Sequence, residues 1–120
     1  MPIWRDANQL LVSVEEVVKG FARYHKYTIG TELRQQALKI CILVNKAWRY
    51  KHNNHRILLA LSDAIDQFKI QCQLAKQLHA YQSFAQFQKI AELSVSVGKQ
   101  CGGWERRVRQ QPEVASMGNQ

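Results

Sequence analysis

Proline occurs at only two positions of the 120-residue chain, Pro2 and Pro112, and both lie near its ends. Because proline breaks the interior of a helix, this placement leaves the whole interval between them free to be helical. Apolar residues recur in that interval every three or four positions, and no stretch alternates apolar with polar residues as a half-buried strand does. The pattern predicts an all-α fold.

Four helices are predicted from this periodicity, at about residues 6–24, 28–50, 54–80 and 83–109. Two of them begin at apparent capping boxes, Asp6 with Gln9 and Ser83 with Gln86, whose first side chain accepts from an unpaired amide of the first turn. Short connections between helices favour an antiparallel up-down-up-down four-helix bundle. We therefore expect one domain at residues 1–109 and a disordered tail at residues 110–120.

The fourth predicted helix has the sharpest apolar pattern. Its inward positions step alternately by three and four residues, as in helices that pack nearly parallel, and they are Phe87, Ile90, Ser94, Val97, Cys101, Trp104 and Val108. The same periodicity places Trp48 of the second helix and Leu78 of the third on inward faces. These faces are predicted to form the core of the bundle. An alternative for Trp48 is that it forms, with Tyr24, Tyr27 and Tyr50, a set of rings near helix ends beside basic residues that stack on unpaired bases.

The three cysteines, Cys41, Cys72 and Cys101, are widely spaced and fall among apolar helical positions. This placement predicts reduced, buried thiols. No cluster has the spacing of zinc ligands or of a catalytic site, so we expect no metal, no cofactor and no enzymatic activity. The sequence also shows no signal-peptide pattern and no apolar run of about 20 residues, so we expect a cytoplasmic protein without a membrane span.

Basic residues are concentrated in one stretch of the chain, whose formal net charge is +8. Between residues 34 and 56 there are six lysines and arginines and no acidic residue, which predicts salt-dependent contact with a polyanion. The predicted contact residues are Arg34, Lys39, Lys46, Arg49, Lys51 and Arg56, with Arg23 and Lys26 at the end of the first helix. The alternative is a solvated face whose cations complement the helix dipoles.

Residues 97–108, Val-Gly-Lys-Gln-Cys-Gly-Gly-Trp-Glu-Arg-Arg-Val, resemble the C-terminal motif of the accessory variability determinant (Avd) proteins of diversity-generating retroelements. Residues 26–34 are similar to the start of the second helix in that family, and the resemblance in helix order and length covers roughly residues 8–109. The resemblance implies a structural or subunit-contact role for the motif residues Gly98, Gly102, Gly103, Trp104 and Arg107.

The same resemblance implies what the protein does. Avd proteins are homopentamers that bind the retroelement's reverse transcriptase and its template-region RNA, and that support mutagenic cDNA synthesis without catalysing it. The expected partners are therefore a reverse transcriptase, RNA, its cDNA product and further copies of this chain. The superfamily also includes the bundle proteins encoded in intervening sequences of 23S ribosomal RNA genes, and that branch is a second hypothesis.

Two local features allow further interpretations. Arg49 and His55 have the R-x5-H spacing of HEPN-type ribonucleases, which cleave RNA without metal and are also helical bundles. The consecutive glycines Gly102 and Gly103 each cost about 1 kcal/mol in a helix relative to alanine, so some compensation is expected. The compensating contact is either a large side chain of a neighbouring helix that packs into the gap above the two glycines (the packing notch), or a subunit contact anchored by Trp104.

Overall fold

A computed structural model describes residues 2–111 of the chain. Its helices are α1 (Pro2–Lys19), the short α2 (Arg23–Lys26), α3 (Ile29–Arg49), α4 (His55–Gln77) and α5 (Phe84–Gln110). The described residues contain no β-strand, so the predicted all-α class is confirmed, with four long helices. The predicted tail, apart from residues 110 and 111, lies outside the described residues.

The first predicted helix is wrong at both ends. α1 begins at Pro2, where the missing amide hydrogen of proline is tolerated because the first turn has no acceptor for it. α1 ends at Lys19, since Gly20 disfavours continuation, and the chain turns before the separate helix α2. Asp6 therefore lies inside α1 and caps nothing, which makes its predicted capping box wrong.

The capping box at Ser83 is confirmed. Ser83 Oγ accepts a hydrogen bond from the backbone amide of Gln86 at 3.3 Å. The Gln86 side chain in turn accepts from the amide of Gln82 at 3.0 Å, one residue before the position that the pattern predicts. Both bonds satisfy amides that have no partner within the helix, and they define where α5 begins.

The long helices pack as a ring of neighbours with extents of 55 × 21 × 21 Å. α1 and α4 each contact both α3 and α5. Near one end, Asp6 of α1 contacts Gln100 of α5, and near the other Phe21 stacks edge-on against Tyr81, which stacks against Phe87. These contacts between adjacent helices are consistent with the predicted up-down-up-down order.

The core follows the predicted apolar faces except at two positions. Phe87, Ile90, Val97 and Cys101 of α5 are buried as expected. Trp48 and Leu78, however, are 54% and 50% exposed, so their predicted inward position is wrong. Both lie at the end of a helix, where the helical period identifies a face but does not show whether a neighbouring element covers it.

All three cysteines are buried and free, as predicted. Cys41 Sγ donates to the carbonyl oxygen of Ala7 at 3.2 Å, and burial raises the pKa of Cys41 to about 11. Within residues 2–111, no helix combines the length and the apolarity that crossing a membrane requires.

Candidate nucleic-acid interface

Three separate segments of the chain meet at one end of the bundle. They are residues 2–6 at the start of α1, residues 46–56 from the end of α3 to the start of α4, and residues 99–111 at the end of α5. We call this surface the basic end. It holds nine lysines and arginines and only two acidic residues, a net charge of +7 without the histidines, whereas the whole chain has +8.

Both acidic residues of the basic end are held by neighbours. Asp6 Oδ2 accepts from Gln100 at 2.7 Å and from Ser96 at 3.2 Å, and the Gln100 hydrogen bond is the main cause of its lowered pKa. Glu105 lies 3.7 Å from His55 Nε2 and 3.5 Å from Arg109 Nη1. The carboxylates therefore stabilise contacts between and within helices, and the surface around them stays strongly positive.

The predicted contact residues divide between the basic end and the rest of the surface. Those at the basic end are Lys46, Arg49, Lys51 and Arg56, and all four are exposed. Lys39 is exposed on the outer face of α3, while Arg23 and Lys26 belong to α2 on the far side of the molecule. Arg34 Nε forms an ion pair with Glu15 of α1 at 3.0 Å. A stretch without acids in the sequence is therefore partly neutralised by another helix in space.

Sequence reasoning did not connect five further cations to this surface. They are Arg5, Lys99, Arg106, Arg107 and Arg109, which come from the start of α1 and the end of α5. The predicted up-down order was a usable signal, because in such a bundle the start of the first helix and the end of the last lie beside the end of the second long helix. The order of charges along the chain does not itself show which helix ends come together.

All three tryptophans of the chain also lie at the basic end. Trp4 is 38% exposed and Trp48 is 54% exposed, while Trp104 packs partly against the core. The Lys51 ammonium nitrogen lies 5.6 Å from the centroid of the Trp48 ring, a cation–π distance. Exposed aromatic rings among cations are typical of proteins that bind single-stranded nucleic acid.

A surface groove of about 450 Å³ runs between the start of α1 and the ends of α3 and α5. Its lining consists of Pro2, Ile3, Trp48, Lys99, Gln100, Gly103, Trp104 and Arg107. The groove thus joins residues near the end of α5 to the end of α3. Helical periodicity alone does not indicate this arrangement; the sequence signal for it is the position of Trp48 near a helix end beside basic residues.

The glycines of the motif have different surroundings. A Cβ atom at Gly98 would lie 3.5 Å from Ile65 Cγ2 of α4, so α5 approaches α4 closely there. At Gly102 the corresponding atom would meet only the guanidinium of Arg106, at 3.6 Å, and at Gly103 only those of Arg106 and Arg107. Among the described residues, no side chain from a neighbouring helix lies within 4 Å of an added Cβ atom at Gly102 or Gly103, so residues 2–111 do not supply the large neighbour of the packing-notch interpretation.

Arg49 and His55 are divided between two helices: Arg49 is the last residue of α3 and His55 is the first of α4. His55 faces Glu105. In the part of the chain that the structure covers, no group of three or more histidine, cysteine or acidic side chains is placed to hold a metal ion. No protein-family model matches the chain, and no curated protein matches it either.

Proposed function

We propose that this protein is a non-catalytic factor that binds RNA at its basic end. The observation that carries the proposal is the net charge of +7 at this end, where all three tryptophans lie among the cations. Lysine and arginine contacts to phosphates supply affinity, and exposed aromatic rings supply stacking surfaces for unpaired bases. Neither interaction requires a cofactor.

Within this class, the Avd-like motif favours an accessory role in a diversity-generating retroelement. In this role the protein acts in the cytoplasm, where it binds the reverse transcriptase, the template-region RNA and the cDNA copied from it. The motif residues from Gly98 to Arg107 adjoin the basic end, which is consistent with one surface for polymerase and RNA. Co-expression with the reverse transcriptase of the same locus should give a complex that survives purification.

The alternative within the superfamily is an RNA-binding protein of the 23S intervening-sequence type. The two roles differ in the gene's surroundings. A neighbouring reverse-transcriptase gene with a template repeat supports the retroelement role, and an open reading frame inside a 23S ribosomal RNA gene supports the alternative. If the gene lies in neither setting, both specific roles are contradicted. The general proposal of RNA binding then has to be tested by itself.

We also infer an antiparallel up-down-up-down bundle that assembles into a homo-oligomer, a pentamer by the same resemblance. Exposed apolar side chains on the outer face of α4 support assembly: Ile70 and Leu74, one turn apart, are 60% and 45% exposed. Leu59, 50% exposed, is separated from them on this face by the exposed Asp63 and Asp66. Exposed apolar surface rimmed by polar residues is found at interaction sites. Light scattering should therefore give a smaller mass for Ile70→Glu than for wild type, whereas Val12→Glu on α1 should keep the wild-type mass. A monomeric wild-type protein contradicts this part of the proposal.

RNA binding is best tested with two double variants that change the net charge equally. Lys46→Glu with Arg49→Glu alters the basic end, and Lys19→Glu with Lys89→Glu alters exposed lysines outside it. Fluorescence anisotropy of a labelled single-stranded RNA, measured over a range of salt concentrations, gives the affinity and its salt dependence. Circular dichroism establishes that both variants keep the wild-type helix content.

The basic-end variant should bind RNA at least tenfold more weakly, because opposite charges replace two phosphate contacts. The slope of log K against log salt should become shallower by about 1.4, since each contact to a single strand contributes about 0.7. The control variant should show a much smaller loss. Equal affinities for the two variants would show that only total charge matters and would contradict binding at the basic end.

A further inference from the structure

The groove between α1, α3 and α5 contains aromatic rings as well as cations. Binding of anions in general would need only the cations. Two indole rings, Trp48 and Trp104, line it together with two cations, Lys99 and Arg107, and no acidic residue belongs to the lining. Trp48 is 54% exposed, although tryptophan is highly buried on average in folded proteins. A half-exposed aromatic ring thus lies beside positive charge, with the Lys51 ammonium over it at 5.6 Å from its centroid.

We propose that this groove takes an unpaired nucleobase of single-stranded RNA, which stacks on Trp48 while Lys99 and Arg107 neutralise the flanking phosphates. The inference rests on the proposed function, and it specifies which part of an RNA the basic end recognises. Every base presents a π face, so the groove selects unpaired over paired nucleotides and does not select a particular base.

The dimensions and edges of the groove fit this occupant. Its volume of about 450 Å³ lies within the range of roughly 300–1,000 Å³ that is typical of small-molecule sites. Arg107 Nη1 would lie 3.4 Å from a Cβ atom at Gly103, so the guanidinium extends over the glycine at the groove edge. The glycine therefore leaves room for a phosphate-binding group beside the aromatic surface.

Charge also favours RNA over a second copy of the chain. Two basic ends that meet would bring together two surfaces of net charge +7, which is strongly unfavourable at physiological salt. A phosphate chain is complementary to the same surface. Lys51, whose ammonium lies 5.6 Å from the Trp48 ring centroid, adds a cation next to the stacking surface.

The test compares Trp48→Leu with Trp4→Leu in the full-length protein. Trp4 lies at the same basic end and is 38% exposed, but it is not part of the groove lining, so it is a matched control. Affinities are measured for a single-stranded RNA 12-mer and for an RNA duplex of equal length. Both substitutions affect exposed side chains, and circular dichroism checks that the fold is kept.

Trp48→Leu should weaken single-strand binding roughly 5- to 150-fold, the equivalent of losing one stacked base. Its salt dependence and its affinity for the duplex should stay at the wild-type values, because no phosphate contact is lost. Trp4→Leu should lose distinctly less single-strand affinity than Trp48→Leu, because the Trp4 ring lies outside the groove. Equal losses in the two variants would contradict the groove assignment. The groove assignment would be overturned if Trp48→Leu bound single-stranded RNA as wild type does. It would also be overturned if the substitution changed the oligomeric mass and left the RNA affinity unchanged. Neither result would contradict RNA binding at the basic end.

A measurement on the wild-type protein provides an independent test. Single-stranded RNA should quench the intrinsic tryptophan fluorescence, and an abasic strand with the same phosphate backbone should bind without comparable quenching. Equal quenching by both strands would contradict base stacking. If the wild-type protein binds neither RNA, the proposed function fails as well, so the two failures are distinguishable.

Discussion

Gln100 of α5 donates a hydrogen bond from Nε2 to Oδ2 of Asp6 in α1 at a distance of 2.7 Å. The two residues are far apart in the sequence, and their contact joins the first turns of α1 to the last turns of α5. Ser96 donates to the same oxygen at 3.2 Å. The Asp6 carboxylate, which accepts both hydrogen bonds, thus links the two helices that frame the groove at the basic end.

Asp6→Asn should lower the free energy of unfolding by roughly 1 kcal/mol at neutral pH, because hydrogen bonds to a charged acceptor are lost. The pKa of Asp6 is lowered from its ordinary value of 3.8, chiefly by Gln100. The carboxylate's contribution is therefore full above pH 3.8 and is lost as the pH falls below it. Urea denaturation of both proteins from pH 7 to pH 3 should show their stabilities converging. A difference that stays constant with pH would contradict this role of the charge.

Gly30→Ala should destabilise the protein. A Cβ atom at Gly30 would lie 2.8 Å from Val18 Cγ1 and 2.9 Å from the carbonyl oxygen of His25. Relieving this overlap requires α1, α2 or α3 to shift, which costs about 1–3 kcal/mol. Thermal denaturation followed by circular dichroism measures the effect, and an unchanged melting temperature would argue against the close packing.

Gly102→Ala should have the opposite effect. The added methyl group would meet only the Arg106 guanidinium, at 3.6 Å, which is an ordinary contact. Alanine is favoured over glycine in a helix by about 1 kcal/mol, so the free energy of unfolding should rise by roughly 0.5–1 kcal/mol. The same melting experiment checks it. A loss of stability would indicate that something outside the described chain, such as a second copy, packs against the notch.

The three thiols should be unreactive in the native protein. Burial raises the pKa of Cys41 and of Cys101 to about 11, and only the thiolate reacts with alkylating agents. Iodoacetamide at pH 8, followed by mass spectrometry, should give no labelling of the folded protein and three labels in urea. Rapid labelling of any thiol under native conditions would show that its helix opens locally.

His55→Ala should leave RNA intact and its binding nearly unchanged. His55 lies against Glu105 and is separated from Arg49 by the turn between α3 and α4. The ribonuclease hypothesis predicts instead that the wild-type protein cleaves RNA without metal and that this variant does not. Labelled RNA is incubated with each protein in a chelating buffer and analysed by gel electrophoresis. The result distinguishes the ribonuclease hypothesis from the non-catalytic proposal. Cleavage by the wild type alone would replace the non-catalytic proposal.

Much of the fold could be predicted from the sequence because local physical chemistry determines it. Helix periodicity depends on the order of apolar residues, so the inner face of α5 and the burial of the cysteines follow from the chain alone. The Ser83 capping box is local in the same way. The Asp6 capping box was wrong because the pattern does not show that α1 begins four residues earlier, at Pro2, which places Asp6 inside the helix.

Tertiary structure decided where the charge and the aromatic rings lie. Sequence reasoning identified cations between residues 34 and 56, but Glu15 pairs with Arg34 from another helix, and Lys99 and Arg107 join from α5. Trp48 satisfies the helical period of a core residue and is still exposed, because burial depends on whether a neighbouring helix covers that end of α3. The sequence by itself determined the helices and their apolar faces. Only their packing could create the basic end and its groove, since both consist of residues that are distant along the chain.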